Sequence, residues 1–557
     1  MKFLKSENFF VLFFSFVLLT LSFSSTVYEG FRGQNLGDAR RVFLWGEHNF
    51  TYDYNVYLAK MREGAEGAWT VTNKYTSESH QGVFLQEFYL LSGKVGGWLG
   101  LEPPATYFLL RFGLAIIFVL AIYALILFFV KDSATRKIAF LLALFSGGWP
   151  KFLFYEGSWH AVVRFDWWQE MDQIKRASYV PHYLLGHILT IISLLFLIKS
   201  QNKRSYFVLA ILSGAVAGFV HPPSLLIVWG IWGISFLFSV VGSRFSAFRH
   251  LSSVFSLQSP VVRLLAFIFL TSLPLLYVNQ AIAVYPWKSL VDYDVAHPWI
   301  YSLTEYILAL GVTLPLAFLG IVFCKDRKKE ELHPLLFWLL VVPLGMISLK
   351  VTGSHSELYF IQVAVHLPLA IFSALFIIKV GNWLKKKTKL NFVPLLLALV
   401  LLFSLPGIYA SLHGQFQFIN QRANAVMPLV PYPSQVMYPL RDWWGAVMWL
   451  KNNTPNKSIV LSEHTAGNYI PAYAGNTVYL GHVAETVNFT AKKANVDYFF
   501  KGGMDPATAQ KFLVGNNISY VFYDPQAQEQ GTFPVSNYPF LKPVYMSTYV
   551  TIYKVTN

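Results

Sequence analysis

Asp53-Tyr54-Asn55-Val56-Tyr57-Leu58-Ala59-Lys60-Met61-Arg62-Glu63-Gly64-Ala65-Glu66-Gly67 is the stretch from which the rest of the chain is read. A helix over residues 54–63 places Asp53, Tyr57 and Met61 on one face, four residues apart. Gly64 and Gly67 then stop it. The stretch follows one apolar segment and precedes all the others. A polar tail, Thr76-Ser77-Glu78-Ser79-His80, comes after it. The organising feature is therefore an acid at the head of a short amphipathic helix, just beyond a membrane segment.

Composition sets the class. Of 557 residues 55% are hydrophobic, 17% aromatic and only 13% charged, too apolar for a soluble chain of this length. Apolar runs able to cross a hydrocarbon core of about 30 Å recur at 9–23, 107–130, 138–149, 183–198, 206–220, 223–241, 264–284, 307–322, 335–349, 359–378 and 392–409, giving about eleven spans. One cysteine, Cys324, excludes an intrachain disulfide and a cysteine zinc cluster. The net charge of +15 reads as loop charge under the positive-inside rule and not as a nucleic-acid surface.

Basic clusters fall at alternate junctions: Lys131/Arg136/Lys137, Lys199/Lys203/Arg204, Arg244/Arg249, Lys325/Arg327/Lys328/Lys329 and Lys385/Lys386/Lys387/Lys389. All five agree with a cytoplasmic N-terminus and an extracytoplasmic C-terminus. The first run follows Lys2 and Lys5 and reads as a cleaved signal or an uncleaved anchor. Its length and the lack of a clear small-x-small site favour the anchor. The expected fold is mainly α: a multi-pass bundle over residues 1–410, with a first external loop at 26–104, and an extracytoplasmic α/β domain at 411–557. In that domain, helices are expected at 443–450, 486–500 and 506–513, and strands at 458–461, 477–480 and 519–523. A closing hairpin pairs 542–546 with 549–555.

Each candidate residue has a plain reading beside its chemical one. Asp53 is an N-cap for its helix, or a carboxylate that takes a proton from an acceptor hydroxyl; the two are compatible. In the second loop, Glu170 and Asp172 are two carboxylates two residues apart. They form a solvated acidic patch beside Lys175 and Arg176, or, with a third acid, a site for a hard divalent cation. Glu357 favours a helix N-terminus, or supplies that third acid. Arg62, Arg111, Arg164, Lys175 and Arg176 are basic groups with which a lipid phosphate would pair. His182 and His221 flank prolines at helix ends. The chain contains no Walker loop, Rossmann glycine pattern or Ser-His-Asp signature, so a donor on the outer face is expected to be lipid-linked.

This layout resembles the GT-C class of membrane glycosyltransferases, in which a first span leads into a long external loop carrying a catalytic acid, followed by a multispan bundle. Asp53 with Tyr57, the Gly64/Gly67/Trp69 turn and the Glu78/His80 tail are similar to that first loop. The resemblance implies an inverting enzyme that moves a sugar from a polyprenyl-phosphate donor to a glycan, lipid or protein acceptor of the envelope. Asp53 would be catalytic, and Tyr57, Arg62, Glu78, His80, Arg164, Arg176 and His182 would bind substrate. Similarity to oligosaccharyltransferases further implies Mg or Mn held by Glu170, Asp172 and Glu357. The helix around Trp444–Pro455 also matches that subtype. Its Trp-Trp-Asp-Tyr-Gly motif does not, since Ser462-Glu463-His464-Thr465-Ala466-Gly467 stands in its place. From the residues alone, a transporter or flippase of lipid-linked or small solutes, or an envelope scaffold, stays open. The lack of paired halves speaks against transport.

Overall fold

The structure is a computed structural model that describes residues 7–165, 169–242, 260–298, 301–323, 329–353, 356–361, 363–430, 436–531 and 533–556. Cys324 and the basic residues Arg244, Arg249, Lys325, Arg327 and Lys328 lie outside them. The helices are α1 (Glu7–Gly33), α2 (Thr51–Ala65), α3 (Glu87–Trp98), α4 (Pro103–Phe129), α5 (Ser133–Phe145), α6 (Pro181–Lys199), α7 (Arg204–Val220), α8 (Pro222–Gly242), α9 (Pro260–Ala281), α10 (Lys288–Ala296), α11 (Leu303–Ala309), α12 (Thr313–Phe323), α13 (Lys329–Thr352), α14 (His366–Thr388), α15 (Val393–Asn424), α16 (Arg441–Asn453), α17 (His464–Tyr473), α18 (Phe489–Phe500), α19 (Pro506–Gly515) and α20 (Pro525–Gln528). Each expected apolar run coincides, wholly or in part, with a helix among the described residues. Among the described residues, however, only seven helices are long and apolar enough to cross a membrane, or eight if α11 and α12 form one broken span. The expected eleven counted α5, α7 and α8 as spans; α5 has only 13 residues and α7 only 17.

The chain divides into two compact units. One comprises Met1–Ser24, Leu110–Tyr277 and Pro298–Gly414. Its core includes Leu189, Leu197, Ala210, Ala217, Leu225, Val228 and Phe267. α11 and α12 meet at a bend of 75°. Gly311 makes the bend possible: its φ is +70°, and a β-carbon there would lie 1.9 Å from the Gly147 carbonyl oxygen. The run expected at 359–378 begins later, because Glu357–Phe360 is a single 3-10 turn and Ala364 takes a φ of 54° before α14. The second loop also holds an unforeseen hairpin, β1 (Lys151–Tyr155) against β2 (Ser158–Val162), closed by Glu156 and Gly157 at positive φ.

The other unit comprises Ser25–Leu109, Val278–His297 and Gln415–Asn557, so the first loop is grouped with the C-terminal part of the chain. Its sheet has the order β4-β3-β5-β7-β6, from β3 (Ile459–Leu461), β4 (Thr477–Val478), β5 (Ile518–Tyr523), β6 (Leu541–Met546) and β7 (Thr551–Val555). β3 pairs parallel with both β4 and β5, and β7 closes antiparallel. Leu461, Val496, Phe499, Phe500, Leu513 and Val521 pack its core.

α2 runs past its expected stop at Gly64, which lies inside the helix. The reason is a close crossing with α3. A β-carbon on Gly64 would lie 1.9 Å from the Leu90 carbonyl oxygen, and one on Gly93 would lie 1.9 Å from that of Met61. Gly67, with a φ of +101°, takes the turn beyond the helix end. Gly64→Ala is therefore expected to force the two helices apart, costing about 3 kcal/mol. Thermal unfolding in detergent checks this; an unchanged midpoint would refute the crossing.

Candidate functional site

Asp53 lies in the first turn of α2, at its third residue, and does not cap it. The capping position is Phe50, whose side chain makes no cap bond. The Thr51 hydroxyl donates to the Glu47 carbonyl instead. The Asp53 carboxylate points away from its own helix end, to His482, with Oδ1 3.0 Å from Nε2. The Asp53 side chain is 47% exposed and that of His482 only 7%. Among the described residues nothing hydrogen-bonds Asp53 Oδ2.

The head of α2 is stitched to the segment that carries His482. The Tyr52 hydroxyl donates to the Gly481 carbonyl (3.2 Å) and accepts the Val483 N–H (2.6 Å). Asn55 donates to Asn468 (2.7 Å), and the Asn468 amide donates to the Tyr52 carbonyl (3.1 Å). From the same loop Asn73 donates to the Glu485 carbonyl (2.8 Å), and Thr486 donates to the Tyr75 carbonyl (2.7 Å). His482 carries no sequence signal: it is a lone histidine 429 residues from its partner.

The expected substrate-binding residues of this unit have other partners. Tyr57 stacks on Tyr89 with centroids 4.3 Å apart. Arg62 donates to the Ala472 carbonyl (2.8 Å). Glu78 pairs with Lys492 (2.8 Å), which holds its carboxyl below the usual range against the opposing effect of burial. His80 accepts the Asn73 N–H at Nε2 (2.8 Å) and faces the Glu78 carbonyl with Nδ1 (2.7 Å). These contacts shape the loop on which Asp53 depends.

His48, ahead of α2, is buried with both ring nitrogens against oxygens. Nδ1 is 2.9 Å from Glu29 and Nε2 is 2.9 Å from Gln415 Oε1. Burial alone would lower its pKa. The Glu29 bond, with the Glu47 and Glu29 charges, outweighs burial and holds it above the ordinary 6.5. A raised folded-state value means that the stabilisation is complete below about 6.5 and is lost as pH rises through the raised value. The melting temperature is accordingly expected to fall as pH rises above neutrality. His48→Gln should flatten that dependence and cost about 3 kcal/mol at pH 6. A parallel pH profile in the variant would refute this.

The membrane unit holds a second polar cluster. Glu170 is buried, 2.8 Å from His366 Nδ1 and 3.5 Å from His187 Nε2. Burial pushes its pKa up to about 8, against the opposing charge of Arg176. Arg176 is buried as well and donates to the carbonyls of Ala143 (3.3 Å) and Ser146 (3.2 Å). Glu170, Arg176 and His366 line one small pocket with Thr313. Asp172 accepts the N–H groups of Ile174 (2.8 Å) and Lys175 (3.2 Å), closing a turn. Glu357 heads the 3-10 turn, with Ser356 as its cap. Glu170 and Asp172 each keep a buried carboxylate oxygen without a hydrogen bond, the type of donor that a hard cation takes. Among the described residues, though, no three acids or histidines gather into a group able to hold a metal ion. Arg164 is bound to Glu305 (2.9 Å), and His182 packs against Tyr183 with centroids 4.3 Å apart.

No family model matches the chain, and no curated protein matches it in sequence. Solved structures do. The whole chain is similar to the oligosaccharyltransferase of Archaeoglobus fulgidus tethered to an acceptor peptide with the NVT sequon, at 15% identity and a TM-score of 0.52 over 75% of that chain. It is similar to the mycobacterial arabinofuranosyltransferase AftD at 14% identity and a TM-score of 0.50, over 99% of this chain and 42% of that one. ArnT from Cupriavidus metallidurans, bound to undecaprenyl phosphate, aligns at 12% identity and a TM-score of 0.49 over 98% of this chain and 97% of that one. The likeness is one of fold, shared with the oligosaccharyltransferase and arabinofuranosyltransferase structures.

Proposed function

We propose that the chain is an inverting membrane glycosyltransferase that moves a sugar from a polyprenyl-phosphate donor to an acceptor hydroxyl in the envelope, with Asp53 as its base. One observation carries this: a half-exposed carboxylate at the head of α2, fixed through one oxygen by His482, with the other oxygen unengaged among the described residues. The fold likeness supports the class. The basic clusters support an extracytoplasmic face for the first loop and the C-terminal domain.

In this reading the acceptor oxygen attacks the anomeric carbon from the face opposite the phosphate. The new C–O bond forms as the bond to the phosphate oxygen breaks, and the lipid phosphate leaves with the electron pair. The hydroxyl proton passes to Asp53 Oδ2. The exposure of Asp53 then lets that proton return to water. Glu170, Asp172 and Glu357 do not gather into one group among the described residues, so no step of this proposal runs through a cation held by them. Transfer is expected to persist in excess chelator, and its loss there would call for a metal site elsewhere.

The test is an envelope glycan and lipid-linked sugar profile of the host strain with a chromosomal Asp53→Asn. Loss of one glycan, with its lipid-linked sugar accumulating, is expected and would identify both substrates. An unchanged profile with the variant present in the membrane would overturn the proposal.

A further inference from the structure

We infer that His482 is a positioning residue that holds Asp53 as a one-sided base, donating through Nε2–H while Nδ1 accepts from the backbone; this rests on Asp53 being the base. The tautomer follows from the hydrogen bonds around the ring. The Ala484 N–H points at His482 Nδ1 from 3.2 Å. An amide can only donate, so Nδ1 must carry a lone pair. A neutral imidazole then has its proton on Nε2, and Nε2 faces Asp53 Oδ1 at 3.0 Å. The carboxylate therefore accepts from the imidazole through one oxygen and presents the other to a substrate.

The ring has little freedom to do anything else. Tyr52 stacks on it with centroids 4.1 Å apart at 28°, and Tyr75 meets it edge-on at 6.1 Å and 69°. The His482 carbonyl accepts the N–H groups of Glu485 (3.2 Å) and Thr486 (2.9 Å), so the backbone beneath the ring is closed into a turn. The Tyr52 hydroxyl bridges Gly481 and Val483 on either side of it. Tyr52 is also the residue before Asp53, so the ring and the carboxylate are referenced to the same backbone.

This inverts the usual division of labour between a carboxylate and an imidazole. Where a histidine is the base, its far nitrogen is free to take a proton while the acid orients it. Here that nitrogen is occupied by a backbone donor, and protonating it would break the Ala484 bond. The proton taken from the acceptor stays on Asp53 Oδ2 and leaves through solvent, without passing through His482. The C-terminal domain thus supplies the group that aims the carboxylate, and the site of the first loop is incomplete without it.

The discriminating variants are His482→Gln and His482→Ala in the full-length protein, compared in host membranes with wild type and Asp53→Asn. The rate read is the loss of endogenous lipid-linked sugar into envelope glycan, normalised to the amount of protein. A glutamine can donate through its amide nitrogen to Asp53 but cannot carry a proton on and off the site. His482→Gln is expected to keep the rate within about threefold of wild type. His482→Ala should lose about tenfold to a hundredfold, as for a missing hydrogen bond to a charged group. Melting temperatures of the purified variants separate this loss from unfolding, since a packing defect would not be rescued by glutamine. Equal loss in the glutamine and alanine variants would overturn the inference, as would a wild-type rate in His482→Ala. If Asp53→Asn keeps its rate, the assignment of Asp53 falls instead.

Discussion

Asp53→Asn is expected to lower the rate of transfer by about 10²- to 10⁴-fold, the range for removing a positioned general base. The same change should leave the melting temperature nearly untouched. Asparagine keeps the volume of aspartate and an Oδ1 that can accept the His482 Nε2–H. It loses only the charge and the basicity of the second oxygen. The two readings of Asp53 made from sequence separate here. A helix-capping aspartate, once replaced, costs about 1 kcal/mol of stability and nothing in rate. A base costs rate and little stability. The geometry already speaks against capping, because the cap position is Phe50 and the carboxylate turns to the C-terminal domain. Asp53→Glu is the useful companion: it keeps the charge but pushes the carboxylate one methylene further, past the His482 ring. It is expected to recover only part of the rate. Kinetics with the substrates identified by the glycan profile, alongside thermal unfolding, check both variants. A stable, fully active Asp53→Asn would end the glycosyltransferase assignment of this residue.

What could be seen in advance follows the range of the physics. Hydrophobic periodicity is local, and each apolar run is legible as a segment that is helical wholly or in part, as is α16. The β-branched and aromatic runs at β3, β5 and β7 were equally plain. α17 was missed because His464–Tyr473 contains Gly467 and Pro471, which read as breakers. Gly467 is there for a close approach: a β-carbon would lie 1.9 Å from the Leu480 carbonyl oxygen, the residue pair that leads into His482. Gly64 reads as a stop in sequence and serves a close approach in the fold, for the same reason. A glycine that ends a helix and a glycine that lets two backbones touch look alike in one dimension. Eleven runs correspond to seven or eight helices of crossing length among the described residues, because composition marks a segment as apolar without saying how long its helix is. The candidate acid is legible in sequence, since Asp53 heads an amphipathic helix. Its partner was not, because nothing local marks a histidine that meets its aspartate across 429 residues.

Trp443→Ala is expected to cost about 5 kcal/mol, enough to unfold the C-terminal domain near physiological temperature. Trp443 on α16 is 0% exposed and packs edge-on to Tyr469 (5.4 Å) and Phe522 (6.3 Å). Its indole N–H also donates to Asp524 Oδ2 at 2.8 Å. Truncation leaves a large cavity and strips a buried carboxylate of a donor. Trp443→Phe divides these two losses, because it keeps an aromatic ring and removes only the N–H. Burial raises the Asp524 pKa to about 6, although the Ala527 N–H and Trp443 both oppose it. For a raised carboxyl, stability is complete below the ordinary value near 4 and is lost as pH rises through about 6, here by about 3 kcal/mol. Without the indole donor the ionised form is less well held, so the loss deepens above pH 6 and not below it. Trp443→Phe should therefore be mildly destabilised at pH 5 and lose about 2 kcal/mol more at pH 8. Thermal unfolding at the two pH values reads this, and an equal loss at both would assign the whole effect to packing. Because this domain carries His482, the alanine variant is also expected to lose transfer. The phenylalanine variant, folded at 25 °C, should keep it.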